Sequence, residues 1–358
     1  MPLTDEGSRP AGADAGCLAA DPRIRRILII KWSALGDIAL TTAAMEDVCA
    51  AFPAAEIHVN TLPPWGQLFR EDPRFSRVIS FALRGEGPLA SLRWLREIRA
   101  NRYDMIVDFQ SNDRSRALLT LLTLSGARVP CVLGHHARFP YTVAPRSLEH
   151  HYHIGELQRA ALQAAGIPTG TDHPVIHVPA RNRAQARRLL AQHDLADGRY
   201  AVFFPGCQRS APLKRWGALR YASLAIYLRQ AGYDRVVLLG SEDEAEECAA
   251  IQRACGDAVL NLCGRTEVLD LIPFCEGARV IVANDTGTAH LTAAARRPML
   301  VIFGPTDAVR SRPLGDGVHT LQAGIFCVSC YRKQCTHHAC MELVSPEAAF
   351  EAVCRVAP

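Results

Sequence analysis

The chain has 358 residues, 49% of them hydrophobic and 21% charged, with a formal net charge of +4. That length exceeds what one core usually serves and points to two domains; no apolar stretch reaches the roughly 20 residues that span a bilayer. The small positive balance argues against a nucleic-acid partner and leaves room for a local basic face toward an anionic lipid or glycan.

The N-terminus, Met1-Pro2-Leu3-Thr4-Asp5-Glu6-Gly7, is acidic and lacks the apolar core of a secretory signal. Residues 1–23, rich in Ala, Gly, Asp and Pro, are expected to form a disordered tail. Buried strands are expected at 27–30, 57–59, 78–79, 105–107 and 132–133, separated by helices at 38–52, 91–100 and 114–124. A hinge is expected near 174–182. Beyond it, near-continuous apolar runs at 201–204, 236–239, 280–282 and 300–303 read as strands buried on both faces, several closed by glycine: Gly206, Gly240 and Gly304. Strands alternating with helices predict an α/β chain of two Rossmann-like, doubly wound parallel-sheet domains, 24–178 and 179–358.

Such sheets bind ligands beyond the carboxyl ends of their strands. In Ser33-Ala34-Leu35-Gly36-Asp37, Asp37 sits where a helix begins. It suits an N-cap, and equally a general base that accepts a proton from an attacking hydroxyl; spacing does not choose. Lys214, in a strand-to-helix loop, is either a solvated charge or a cation that neutralises a leaving diphosphate. Glu242 follows Gly240-Ser241 and suits a first helical turn or the hydroxyls of a ribose. Asn284-Asp285-Thr286-Gly287-Thr288-Ala289-His290 crowds polar side chains beside a glycine at a helix start, a natural anion site, and Phe303-Gly304-Pro305-Thr306-Asp307 adds another strand-end loop. There is no Walker loop and no strand-linked GxGxxG, which argues against ATPase and dehydrogenase functions.

Of thirteen cysteines, nine are scattered through apolar or helical patterns, as reduced thiols in a cytoplasm would be. Cys327, Cys330, Cys335 and Cys340 are clustered. The CxxC pair with two further thiols suits a structural Zn or Fe; the alternatives are a disulfide or reduced structural cysteines. In the first half, Arg93, Arg96, Arg99 and Arg102 recur at helical spacing, followed by Arg114, Arg116, Arg138 and Arg146. They form a solvated surface or hold an anionic acceptor at the inner membrane face. The run His150-His151-Tyr152-His153 reads as a solvated helix start.

Lys31-Trp32-Ser33-Ala34-Leu35-Gly36-Asp37-Ile38, Lys214-Arg215-Trp216, the 284–290 segment and the 303–307 segment together resemble glycosyltransferase family 9, the ADP-heptose:lipopolysaccharide heptosyltransferases, over 26–351. The resemblance implies a GT-B architecture whose two domains face a central cleft, with acceptor binding in the first and an ADP-sugar donor in the second. It also implies inversion at the anomeric carbon and no catalytic metal or other cofactor. By position, Asp37 matches the catalytic base and Lys214 the phosphate-stabilising lysine. Glu242 and Asp285 match residues near the donor ribose or sugar, and Thr286, Gly287, Thr288 and His290 match the donor loop. Autotransporter heptosyltransferases are an iron-binding instance of a similar cysteine cluster. The expected partners are a nucleotide sugar and an anionic glycolipid or glycan. The alternatives are another nucleotide sugar, a protein acceptor, a sugar-nucleotide epimerase, or a non-catalytic metal-linked assembly protein.

Overall fold

The computed structural model describes residues 18–83, 87–148 and 152–358. Strands β1 (Arg26–Ile30), β2 (Glu56–Thr61), β3 (Arg77–Ser80), β4 (Met105–Asp108) and β5 (Cys131–Leu133) form one parallel sheet in the order 3-2-1-4-5. Strands β6 (Tyr200–Phe204), β7 (Arg235–Leu238), β8 (Val259–Asn261), β9 (Val280–Asn284), β10 (Met299–Phe303) and β11 (Val318–Gln322) form a second in the order 11-10-9-6-7-8, also parallel. Both are doubly wound, so each has a point where the strand order reverses: between β1 and β4, and between β6 and β9. The loops after these four strands splay apart and leave a crevice.

Alternation along each strand sends neighbours to opposite faces. Ile27 and Ile29 enter one core with Val202, Phe204, Ile281 and Ala283 of the second sheet, whereas Leu28 and Ile30 enter a separate core on the outer face of the first. The shared core is closed by α1 (Leu35–Ala51), buried from Leu35 through Val48 on nearly every side. An all-round apolar helix must be covered all round. Outer cover of the first sheet comes from α2 (Gly87–Asn101) and α3 (Asp113–Leu124), and α1 also packs on α4 (Ile154–Ala164). In the second half follow α5 (Ala180–Gln192), α6 (Ala218–Gln230), α7 (Ala245–Cys255), α8 (Leu271–Glu276) and α9 (Gly287–Thr292). Helix α9 lies against α1, so the two halves meet helix to helix.

Several expectations change. The first helix begins at Leu35, three residues before Ile38, with Ala34 as N-cap. β8 and β11 were not foreseen, because both are edge strands whose half-solvated residues make no continuous apolar run. Residues 1–17 of the expected tail lie outside the described residues. Leu18–Ala20 form an ordered 3-10 turn, its Leu18 amide donating to Ala165 O (3.1 Å). No helix among the described residues is long and apolar enough to cross a membrane.

Candidate active site

The four strand ends flanking the two reversal points carry the polar residues. After β1, Gly36 and Asp37 lie in the first turn of α1, and Asp37 Oδ2 accepts a bond from the Ala34 amide (3.3 Å). Asp37 therefore caps its helix from the third position rather than as N-cap, while staying partly exposed. A Cβ placed on Gly36 would stand 2.9 Å from His290 Cδ2, and one on Gly287 would stand 3.0 Å from Leu35 Cβ. Only glycine lets α1 and α9 approach this closely. His290 is buried, and both Asp37 and Asp285 act on its imidazole; burial still outweighs them and holds the ring toward its neutral form. Its Nδ1 is buried without a partner among the described residues.

After β6, the loop to Lys214 is tied to β9. Asn284, the last residue of β9, donates to Pro205 O (2.5 Å) and accepts from the Trp216 amide (3.3 Å) and the Tyr221 hydroxyl (3.1 Å). Lys214 Nζ is 2.6 Å from Asp285 Oδ2, which also accepts from Thr306 Oγ1 at 2.6 Å. Lys214 is thus ion-paired rather than solvated. Thr286 is the N-cap of α9 and bonds Thr288 (2.7 Å). Glu242 is exposed and packs near Gly264, whereas its neighbour Glu244 fastens the turn by accepting from the Ser241 amide (2.6 Å). Asp37, Lys214 and Asp285 all stand close enough to act on the His290 imidazole, so these four come together.

Sequence reasoning passed over Asp108 and His135, and it quoted Lys31, Asn284 and Thr306 only within their segments, without a role for any of them. Each ends or follows an apolar strand, the one signal that could have picked them out. Lys31 is buried, its Nζ bonding Phe109 O (3.4 Å); burial pulls its pKa down against the attraction of Asp37 and Asp108. Burial, with Lys31 and His136 beside it, pulls His135 down to about 4. His135 lines a cavity of about 540 Å³ together with Asp113, Arg116, His136, Arg138 and Arg146. Arg116, Arg138 and Arg146 thus converge on one cavity, whereas Arg96 and Arg99 of α2 point outward to solvent.

One expectation is left without support and one is corrected. No three His, Cys, Asp or Glu side chains among the described residues converge on an ion site, so the structure gives a Zn or Fe no support, although Cys327, Cys330 and Cys335 all stand near enough to act on the Cys340 thiol. Cys340 is buried in the core of the second half, Cys335 Sγ accepts the His338 amide (3.4 Å), and Cys330 is exposed. Their segment instead braces the lysine loop, His338 Nε2 bonding Leu213 O (2.7 Å). The described cysteines are all free. Nor is His153 solvated: it is the buried N-cap of α4, and its Nε2 bonds Arg312 O of the second half (2.9 Å). His150 and His151 lie outside the described residues.

Residues 91–341 match the family profile of glycosyltransferase family 9 (heptosyltransferase). Lipopolysaccharide heptosyltransferase 1 of Salmonella typhimurium is 27% identical over 301 residues, covering 79% of this chain and 89% of its own. The structure of Escherichia coli ADP-heptose lipopolysaccharide heptosyltransferase II superposes with a TM-score of 0.72 at 23% identity, covering 93% of this chain and 98% of the other. Escherichia coli heptosyltransferase WaaC with ADP superposes with a TM-score of 0.68 at 22% identity, covering 93% and 100%. The fold is the two-sheet GT-B architecture of these enzymes, and the chain belongs to glycosyltransferase family 9, the heptosyltransferases.

Proposed function

We propose that the protein transfers heptose from ADP-heptose to a lipopolysaccharide core acceptor at the cytoplasmic side of the inner membrane, with inversion at the anomeric carbon. Residues 24–178 form the acceptor domain and 179–358 the donor domain. Asp37 takes the proton of the acceptor hydroxyl, whose oxygen attacks the anomeric carbon as the bond to ADP breaks. Lys214 uses one of its three N–H donors on Asp285 and turns the others to the departing diphosphate. Thr286, Gly287, Thr288 and the unpartnered Nδ1 of His290 line the donor, with Glu242 toward its ribose. The cavity of Arg116, Arg138 and Arg146 takes the anionic groups of the acceptor. The similarity to a lipopolysaccharide heptosyltransferase, and to a heptosyltransferase solved with ADP, supports this choice of substrates.

The observation that carries the reading is the contact of Gly36 with His290, which sets the Asp37 turn of one half against the Asp285 loop of the other. The test is ADP release by purified protein given ADP-heptose, with and without a core acceptor lacking the heptose. Release that depends on the acceptor supports the reading. ADP-heptose left intact, or consumed equally without acceptor, sinks it.

A further inference from the structure

The outer layer of the first half departs from an ordinary solvated surface. Four of the twelve exposed large apolar side chains of the described residues lie on α2 and α3: Leu89 (65% exposed), Leu92 (49%), Leu121 (51%) and Leu124 (73%). None is needed for packing, because α2 buries Ala90, Trp94 and Ile98 against the sheet, and α3 buries Leu118, Leu119 and Leu122. Helical spacing places Leu89, Leu92, Arg96 and Arg99 on the solvent side of α2. The two helices touch, so their outward faces form one surface. Residues 87–128 carry seven arginines against four carboxylates, one of which, Asp108, is buried.

We infer that the α2–α3 face docks on a bilayer of anionic lipid. Leucines flanked by arginines on an outward helical face are what an interfacial helix presents, the apolar groups entering the acyl boundary and the cations meeting phosphate headgroups. A second copy of this chain fits less well, since a two-fold contact would set the arginines of one face against those of the other. Crossover helices run opposite to their parallel strands, so the first turns of α2 and α3 lie at the strand ends that border the crevice. Leu89 and Leu92 stand at that end, and Asp113 and Arg116 of α3 line the basic cavity there. The docked face therefore holds the cavity beside the bilayer, where the sugar of a lipid-anchored acceptor emerges. This last step rests on the acceptor proposed above; the docking surface does not.

Full-length protein is sedimented with vesicles of phosphatidylethanolamine and phosphatidylglycerol, free of glycolipid, and with vesicles of phosphatidylcholine alone. Binding to the first and not the second is expected. Leu89→Ser with Leu92→Ser, and separately Arg96→Glu with Arg99→Glu, should each cut partitioning about tenfold. Turnover of a delipidated core oligosaccharide should stay unchanged in both, which also shows that the variants are folded. Absence of wild-type binding to anionic vesicles, or binding that both double variants retain, overturns the inference, as does a wild-type dimer that the leucine variant abolishes in place of vesicle binding. Vesicle binding by a wild type that cannot turn over the oligosaccharide upholds the surface while removing the transfer reading.

Discussion

Two aspartates occupy equivalent places in the two halves and are held in opposite ways. Asp108 ends β4 and is fully buried. Its Oδ1 accepts from the Gln110 and Ser111 amides (3.0 Å each), and its Oδ2 from the Ser115 and Tyr141 hydroxyls (2.7 Å each). Burial raises its pKa against the pull of these four donors, all neutral and all from its own half. Asp285 follows β9, and both of its side-chain bonds fall on Oδ2, one from the Lys214 ammonium. A carboxylate saturated by neutral donors locks a loop in place. One that shares an oxygen between a hydroxyl and a partly exposed cation leaves that cation with N–H donors to spare, as the proposed diphosphate contact requires. The loop after β4 is thus locked, and the loop after β9 holds a cation that solvent still reaches.

Removing Asp108 should break the comparison most severely. Asp108→Ala leaves two partly buried amides and two hydroxyls without their acceptor, and about 3–4 kcal/mol of stability should be lost, read in urea unfolding. ADP affinity, proposed above to belong to the other half, should not move. Lys214→Ala should do the reverse: turnover down about 10²–10³-fold and weaker ADP binding by calorimetry, with about 1–2 kcal/mol lost in unfolding because the side chain is 28% exposed. Equal destabilisation by the two variants would erase the distinction.

Gly36→Ala sharpens the point where the halves meet. Alanine favours the helix, yet its methyl would crowd the buried His290 Cδ2 at 2.9 Å and Gly287 Cα at 3.3 Å and push α1 and α9 apart; about 1–2 kcal/mol of stability should be lost in urea unfolding, with turnover down about tenfold and ADP binding weakened. A smaller effect belongs to Glu247, which sits beside Arg215 at 3.6 Å, too far for a hydrogen bond. Burial raises its carboxyl to about 7, with Arg215 opposing and Glu244 assisting. Since the folded value lies above the unfolded one, its contribution is present below pH 4.5 and lost as pH rises toward about 7. Glu247→Gln should flatten that decline, raising stability at pH 8 by on the order of 1–2 kcal/mol.

The central strands were legible because strands buried on both faces are written as apolar runs, 27–30 and 280–282 among them. Edge strands β8 and β11 were not, having a solvated side to satisfy. Asp37, Lys214 and His290 could be proposed from strand-end position and family resemblance. The bonds that hold the site could not: Lys214 reaches Asp285 across 71 positions, Thr306 reaches it across 21, and Tyr141 reaches Asp108 across 33. A bond set by tertiary approach leaves no local spacing to read. The cysteine cluster runs the other way: its spacing suits an ion, yet no three ligands converge among the described residues, with Cys340 in the core beside Met341 and Cys330 facing solvent.

The claim that a carboxylate of one half activates the acceptor hydroxyl against a nucleotide sugar held by the other is tested most directly by Asp37→Ala, measured for both ADP-heptose turnover and ADP affinity. Turnover should fall at least about 10³-fold while the ADP dissociation constant stays within about twofold. Turnover near the wild-type rate would contradict the account.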